Sequence, residues 1–320
     1  MTGLSVIIPV RNDAARLAVC LASLRRQQSE VPLEIIVVDN GSTDESSRVA
    51  AEASTQVLHI PIGRVGELRN GAALSAGHDV LAFIDADHEV GPGWLAAAGE
   101  AISRTGVGAV GASYLPPSNG TWVQQMYGIL RGRSVGTREV EWLGSGNLVV
   151  RAEAFRQVGG FDTSLEACED VDLCLRLKGA GWKIIADERL TSVHFGDPPT
   201  LRALYKAERW RGRNNLQVSL RGPITVRSLI SALVPVLTLG AIVSLVAGLI
   251  GGLWLGRSSL LLSLAGGSIL AFLFIARALA MAADPMARTP TGFVRALCVV
   301  SVYGVARSLA LVSRAGHHRR

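Results

Sequence analysis

The sequence predicts an α/β protein in which a mainly parallel sheet domain is followed by an α-helical membrane region. Three observations carry this expectation. Residues 4–10, 33–39, 56–60 and 80–85 are short β-branched or apolar runs separated by stretches of helical spacing, and such repetition implies a parallel sheet covered on both faces. Residues 228–256 and 258–276 contain no charged residue, and each approaches or exceeds the roughly 20 apolar residues that cross a bilayer. The charge divides along the same line: residues 201–320 hold 15 Lys+Arg against 2 Asp+Glu, which leaves 17 against 24 for residues 1–200.

Each element has its own signal. After the first strand, apolar Leu17, Cys20, Leu21 and Leu24 recur at helical spacing over residues 14–28. The strand at 33–39 ends in Asn40-Gly41-Ser42-Thr43, a turn leading through Asp44 into a capped helix over 43–53. A strand at 56–60, a helix at 65–76 and the strand at 80–85 complete the regular part. Pro92-Gly93-Trp94 opens another helix, residues 107–114 read as a strand, and 122–130 as a helix inside a Gly/Pro/Ser-rich stretch. A strand at 148–151, a short helix at 153–158, a helix at 169–179 and a strand at 182–185 close a domain over residues 1–200. Residues 201–227 are basic with interleaved Leu204, Tyr205, Trp210, Leu216 and Val218, the pattern of a helix lying on an anionic membrane surface. The membrane region, 228–320, is expected to span at about 229–252 and 258–277. A third apolar segment, 293–312, is interrupted by Arg295 and Arg307 and either spans or lies at the interface.

With 49% hydrophobic residues in 320 and a net charge of +6 that hides an acidic front and a basic back, the chain suits metal or polar-substrate chemistry ahead of a lipid-facing segment, and not nucleic-acid binding. Cys20, Cys168, Cys174 and Cys298 form no Cys-x-x-Cys pair and read as thiols of a reducing compartment. The first strand begins with no basic n-region before it, so the front domain is expected to stay in the cytoplasm. Two spans would place Arg277, Arg288, Arg314, Arg319 and Arg320 on that same side and leave Arg257 outside.

Chemistry concentrates at strand ends. Asp85-Ala86-Asp87 follows the apolar run 80–84, where ligands bind in open α/β sheets; two carboxylates there repel unless a divalent cation or a donor-rich ligand joins them. Asp39 ends its own strand and is expected on the same rim, accepting from a base N–H or serving as a turn former. Glu169-Asp170 stands at a predicted helix start, where capping and catalysis can coexist. His194 follows a short β-like stretch, where an imidazole either completes a metal site or makes an ordinary hydrogen bond.

Taken in order, Val6-Ile-Ile-Pro-Val-Arg-Asn-Asp13, Ile36-Val-Val-Asp-Asn-Gly-Ser-Thr-Asp44, Leu68-Arg-Asn-Gly-Ala72, Phe83-Ile-Asp-Ala-Asp87, Gly144-Ser-Gly-Asn-Leu148, Val158-Gly-Gly-Phe-Asp162 and Glu169-Asp170 make the chain resemble, over about residues 4–215, the family 2 inverting nucleotide-sugar glycosyltransferases. The resemblance implies the GT-A (Rossmann-like) fold. It also implies that Pro9, Val10 and Asp39 hold the base, that Arg69 and Asp85 contact the nucleotide, and that Asp87 and His194 bind Mg2+ or Mn2+ on the diphosphate. Asp170 would be the catalytic base, with Gly144, Ser145, Gly146, Asn147, Glu169, Arg209 and Trp210 on the acceptor side. Processive relatives carry Gln-x-x-Arg-Trp before their membrane helices; here Lys206-Ala-Glu-Arg209-Trp210 matches only in its last two residues, which favours adding one sugar.

The resemblance therefore implies a multi-pass enzyme of the cytoplasmic membrane, its catalytic domain facing the cytoplasm. It would take a nucleotide-sugar donor and a lipid-linked or glycan acceptor hydroxyl, in glycan or cell-envelope synthesis. Polyprenyl-phosphate transfer and processive polymerisation are the enzymatic alternatives, and a catalytically idle membrane scaffold of the same fold is the non-enzymatic one. A dedicated base beside the acceptor favours a hydroxyl over a phosphate.

Overall fold

The computed structural model describes residues 3–54, 56–254 and 256–313. Arg314, Arg319 and Arg320, expected on the cytoplasmic side, lie outside the described residues. In chain order the elements are β1 (Leu4–Val10), α1 (Ala14–Arg25), β2 (Leu33–Asp39), α2 (Ser46–Ala53), β3 (Gln56–His59), α3 (Val65–Ala73), β4 (Val80–Ile84), β5 (His88–Val90), α4 (Trp94–Ser103), β6 (Val107–Gly111), β7 (Tyr114–Leu115), α5 (Trp122–Arg131), β8 (Thr137–Glu139), β9 (Asn147–Arg151), α6 (Ala152–Gln157), α7 (Glu169–Gly179), β10 (Lys183–Asp187) and β11 (Ser192–His194). They continue with α8 (Leu201–Arg211), α9 (Asn215–Ser219), α10 (Val226–Trp254), α11 (Leu260–Met281), α12 (Pro285–Arg288) and α13 (Pro290–Ala310).

The chain forms two compact units. The first comprises the residues up to 118 together with 131–197, and the second comprises 119–130 and the residues from 198 on. Expectation had placed 119–130 in the sheet domain. The structure moves them because Val123, Met126 and Tyr127 of α5 bury against Leu204 of α8 and Ala296, Val299 and Val300 of α13.

In the first unit eight strands run in the order β3-β2-β1-β4-β9-β6-β10-β8, parallel except for β9 and β8. Side chains alternate between its faces, as pleating requires. Val6, Ile8 and Val10 of β1, with Ala82 and Ile84 of β4, pack on Leu17, Leu21, Leu24 and Trp94 of α1 and α4. Ile7, Leu81 and Phe83 point the other way, onto Leu68 of α3, Phe155 of α6 and Leu173 and Leu177 of α7. Phe83 sits 5.3 Å from Phe155 and 4.9 Å from Phe161 between ring centroids. Every residue of β4 is buried, so the Asp-Ala-Asp that follows it hangs on a strand that cannot shift without opening both cores.

Two expectations change here. The run at 107–114 is not one strand: Val107–Gly111 stays in the large sheet, while Tyr114 and Leu115 pair with Ser192 and Val193 in a separate small sheet of order β5-β11-β7. The basic stretch 201–221 is two helices, because α8 stops at Gly212 before α9 begins.

Among the described residues the second unit holds three helical segments long and apolar enough to cross a membrane, Val226–Trp254, Arg257–Met281 (α11 with the turn before it) and Pro290–Ala310, of 29, 25 and 21 residues. At 1.5 Å per residue even the shortest reaches about 31 Å, the thickness of a bilayer core. Between α10 and α11 the buried residues are small, Ala241, Gly248, Ser263 and Gly266, and Ser263 Oγ donates to the Leu245 carbonyl at 3.0 Å. Large side chains such as Leu233, Leu237, Leu253, Leu261, Leu264 and Phe272 face outward. One charge is central: Glu208 of α8, fully buried, accepts from Tyr127 at 2.6 Å, Arg211 at 3.1 Å and Arg307 of α13 at 2.7 Å. Burial pushes its pKa up, but the two guanidiniums and the tyrosine hydroxyl hold it below the usual carboxylate range. Removing one partner of such a buried pair costs about 3–5 kcal/mol. Glu208→Ala is therefore expected to lower the unfolding midpoint of the full chain in detergent markedly, while Arg209→Ala, at an exposed neighbour, leaves it within about 0.5 kcal/mol.

Candidate active site

Parallel strands deliver their C-terminal ends to one rim, and β1, β2 and β4 bring Pro9, Val10, Asp39 and Asp85 there. Val10 is buried and Pro9 half-buried. Asp39 is only 4% exposed. Its carboxylate accepts from the Ser42 amide at 3.0 Å and the Ser47 hydroxyl at 2.5 Å, closing the turn after β2, with His59 Nδ1 at 3.5 Å. Burial alone would raise its pKa, but the serine hydrogen bonds hold it down. Asp39 is thus an ionised rim acceptor and a turn former at once.

Arg69, on α3, is the largest polar side chain in the core, at 2% exposed. One terminal nitrogen donates to Asp85 at 2.6 Å; the other donates to Glu169 at 3.0 Å and to the Ser145 hydroxyl at 2.7 Å. Burial opposes the guanidinium charge, but Asp85 and Glu169 outweigh it and raise its pKa. Arg69, expected to contact the nucleotide, is taken up by Asp85 and Glu169, and it is the side chain of Asp85 that keeps 38% of its surface open.

The same guanidinium separates the acid pair at the start of α7. Glu169 is buried against Arg69, so it positions and does not present a free carboxylate to an acceptor. Asp170 accepts from the Val171 amide at 2.8 Å and the Ser145 amide at 3.2 Å, shielded but not closed off from solvent. Burial and the neighbouring Glu169 push its pKa up to about 7. Immediately before the pair, Cys168 adopts a left-handed backbone, φ 63°, a conformation that costs of order 1 kcal/mol outside glycine and is held where geometry matters.

After Asp85 the chain turns through the small sheet, where β5 and β11 pair antiparallel with His88 opposite His194. The Phe195 amide donates to the Asp87 carbonyl at 2.9 Å and fixes the loop. His194 Nε2 lies 3.3 Å from Asp87 Oδ2 and its Nδ1 2.7 Å from Asp197, itself in a bidentate ion pair with Arg131. His88 Nδ1 lies 2.8 Å from the Ser192 hydroxyl. Burial draws His194 down, but its two carboxylate partners prevail and lift it to about 9. His88 is held at about 4, by burial and then by His194. Asp87, raised by burial, is pulled well below the carboxylate range by His194.

The ligating atoms of Asp87, His88 and His194 all lie within 4.8 Å of one another. Asp87 Oδ1 and His88 Nε2 are buried without a hydrogen-bond partner, an arrangement that costs about 1–3 kcal/mol per group unless something else meets them. A divalent cation fits this cradle. Two glycines keep it open: a Cβ at Gly196 would overlap the Asp87 carboxylate, and one at Gly146 would stand 2.7 Å from Asp85 Oδ2 and 2.9 Å from His88 Nε2.

Sequence reasoning missed His88 and Tyr114. His88 follows the Asp-x-Asp directly, a position whose burial depends on β5, too short at three residues to read from periodicity. Tyr114 accepts from the Gly146 amide at 3.1 Å and packs edge-on against His88, with centroids 4.5 Å apart. Of the expected acceptor-side set, Ser145 lies by the acid pair and Gly144 against the Tyr114 ring, but Asn147 does not open to solvent. Fully buried, it accepts from the Trp94 indole at 3.0 Å and donates to Ser192 and the Leu190 carbonyl, tying the two sheets. Arg209 and Trp210 belong to the second unit, on the exposed side of α8.

The Arg69 arrangement yields a direct test. Arg69→Met would leave Glu169 buried without its cation, and a loss of about 3 kcal/mol or more is expected in denaturant unfolding of the full chain. Arg69→Lys, with one ammonium in place of a two-pronged guanidinium, should recover only part of it.

Comparison with known proteins bears on the fold and the family likeness. Residues 5–157 match the family model described as glycosyl transferase family 2. The chain is 33% identical over 193 residues to a pre-mycofactocin glycosyltransferase of Mycobacterium tuberculosis, covering 56% of this chain and only 40% of that protein's length. It is 29% identical over 236 residues to glycosyltransferase AglE of Haloferax volcanii, covering 70% of this chain and 76% of the other. It is 28% identical over 256 residues to an N-acetylglucosaminyl-diphospho-decaprenol L-rhamnosyltransferase of M. tuberculosis, covering 62% and 83%. Among solved structures, a mannosyltransferase from Pyrobaculum calidifontis, determined with GDP-Man and Mn2+, superposes with a TM-score of 0.57 at 18% identity, over 92% of this chain and 85% of that one. Residues 5–157 are thus similar to glycosyl transferase family 2, the first unit has a GT-A-like fold, and the second holds, among the described residues, three helices long and apolar enough to cross a membrane.

Proposed function

We propose that this protein is a metal-dependent inverting glycosyltransferase that moves one sugar from a nucleotide diphosphate to a hydroxyl of a lipid-linked or membrane-proximal acceptor, in glycan or cell-envelope synthesis. The observation that carries the reading is the division of labour within Glu169-Asp170. Arg69 takes up Glu169, and Asp170 is left as a shielded carboxylate, reachable from solvent, with a proton affinity matched to neutral pH.

In this reading Asp170 accepts the acceptor hydroxyl proton as the new C–O bond forms at the anomeric carbon and the bond to the diphosphate breaks on the opposite face, inverting the centre. Asp87, His88 and His194 would hold Mg2+ or Mn2+, and the cation supplies a Lewis acid that offsets charge on the departing diphosphate. Asp39 and the strand-end backbone at Pro9 and Val10 would orient the base, and Asp85, fixed by Arg69, would meet the ribose. A relative named for transfer to a polyprenyl-diphosphate-linked sugar, and a structural neighbour determined with a nucleotide sugar and Mn2+, support these substrate classes. A phosphate acceptor would arrive already ionised, so a tuned base favours the hydroxyl over polyprenyl-phosphate transfer.

The second unit would hold the enzyme on anionic lipid. Arg202, Lys206, Arg209 and Trp210 follow one another at helical spacing on the exposed side of α8. In our reading α10 and α11 span while α13 lies at the interface. Its two arginines, twelve residues and about 18 Å apart, are both engaged by helices outside the apolar pair: Arg295 over the Trp122 ring of α5 and Arg307 on Glu208 of α8. Both termini then face the cytoplasm.

Asp170→Asn is expected to cut turnover by at least about 10^2 to 10^4 while leaving donor affinity within a few-fold, measured on the full chain with a panel of UDP-, GDP- and dTDP-sugars. Wild-type turnover by that variant, with deamidation excluded, would remove Asp170 from the mechanism. Because only the ionised carboxylate accepts the proton, the wild-type rate should climb as pH rises through about 7 and level off above, well to the alkaline side of an ordinary aspartate. For topology, a reporter fused after residue 320 should be active only as a cytoplasmic reporter; activity in an external one would make α13 a third span.

A further inference from the structure

We propose that His88 is a metal ligand in its own right and sets the metal preference of the site: Asp87, His88 and His194 form a one-carboxylate, two-imidazole set that selects Mn2+ over Mg2+. This rests on the metal-dependent reading above and deepens it.

Four observations converge on His88. The residue is 1% exposed, so its free nitrogen is closed to bulk solvent. Its Nδ1 is engaged by Ser192, and its Nε2 has no hydrogen-bond partner. The pairing of β5 with β11 sets it opposite His194 with ring centroids 4.6 Å apart, and one nitrogen of each ring and a carboxylate oxygen of Asp87 lie within 4.8 Å of one another. Finally, a side chain at position 146 would stand 2.9 Å from that same Nε2, so the chain keeps the approach clear with glycine.

Both imidazoles are also oriented from behind. Ser192 fixes His88, and Asp197, itself clamped by Arg131, fixes His194; in each ring the contact is to Nδ1, which leaves Nε2 as the metal-facing atom. Partners behind a ligand of this kind typically govern affinity by 10 to 100-fold. The donor chemistry then discriminates between ions. Mg2+ demands oxygen ligands in a near-octahedral shell and gives up water reluctantly, whereas first-row transition ions accept imidazole readily. Two nitrogens and one carboxylate on one side leave the remaining positions open to diphosphate oxygens.

Pulsed EPR of Mn2+ bound to the full-length protein in detergent counts directly coupled nitrogens without reference to turnover. Two imidazole nitrogens are expected in the wild type and one in His88→Gln, with Mn2+ affinity by calorimetry falling about tenfold or more. The preference for Mn2+ over Mg2+ in competition should narrow in the same variant. A single nitrogen in the wild type, an unchanged spectrum in His88→Gln, equal affinity for the two ions in the wild type, or no Mn2+ binding would overturn the proposal. The wild-type nitrogen count stands even if the variant fails to fold. A two-nitrogen spectrum in a protein that transfers no sugar from any donor would instead strike the functional reading and leave the metal assignment intact.

Discussion

A single guanidinium organises the catalytic unit. Arg69 rises from α3 into a space closed to water and meets Asp85 from the end of β4 and Glu169 from the start of α7, 84 positions apart along the chain. A buried cation cannot stand alone, and neither can a buried carboxylate, so these elements are held to one geometry by the cost of separating them. The Ser145 hydroxyl, shared with the same guanidinium, draws in the loop before β9, and the Ser145 amide then holds Asp170. The order of dependence runs outward from Arg69, to the strand-end rim through Asp85 and to Asp170 through Glu169 and Ser145.

The small sheet does for the cation cradle what Arg69 does for the acids. Three strands of two or three residues would be marginal alone. Here they are pinned by Asn147, which bonds Trp94 of α4 and Ser192 of β11 at once, and by the ring packing of Tyr114 on His88. Protein contacts alone therefore hold the cradle's geometry. Its two unpartnered atoms are a standing cost that these contacts make tolerable.

Much of this was legible in the sequence, and the limits were physical. The large-sheet strands from β1 to β4 and the helices between them carry strong periodicity, since both faces of the sheet must be covered. Asp85, Asp87, Asp170 and His194 could be named because strand ends and helix starts are positions with known chemistry. What could not be read depends on partners distant in sequence. Whether Arg69 faces solvent or a buried carboxylate is decided by Glu169, a hundred residues away. His88 comes to face His194 only through the pairing of β5 with β11, and 107–114 breaks because Tyr114 and Leu115 pair with Ser192 and Val193 in the small sheet. The two-residue β7 and the three-residue β5 and β11 are too short for a period to show. Residues 119–130 fail for a related reason: which core a helix joins is a matter of its apolar face, and Val123, Met126 and Tyr127 match a surface built by residues after 200.

The acid pair shows why adjacency in sequence is a poor guide to role. Glu169 and Asp170 are chemically near-equivalent and consecutive, yet a helix start turns successive side chains about 100° apart, so one meets the buried cation and the other does not. Once Glu169 is committed to Arg69, its charge becomes a fixed background that opposes ionisation of Asp170, and burial adds in the same direction. Two amide donors, from Val171 and Ser145, limit the rise, so the carboxylate is left near neutrality and not driven to permanent protonation. A carboxylate of that strength is about half ionised at neutral pH, which suits the base proposed for it: enough is ionised to take a proton from a hydroxyl whose acidity grows as the bond to the sugar forms. The arginine thus tunes Asp170 by holding its neighbour Glu169.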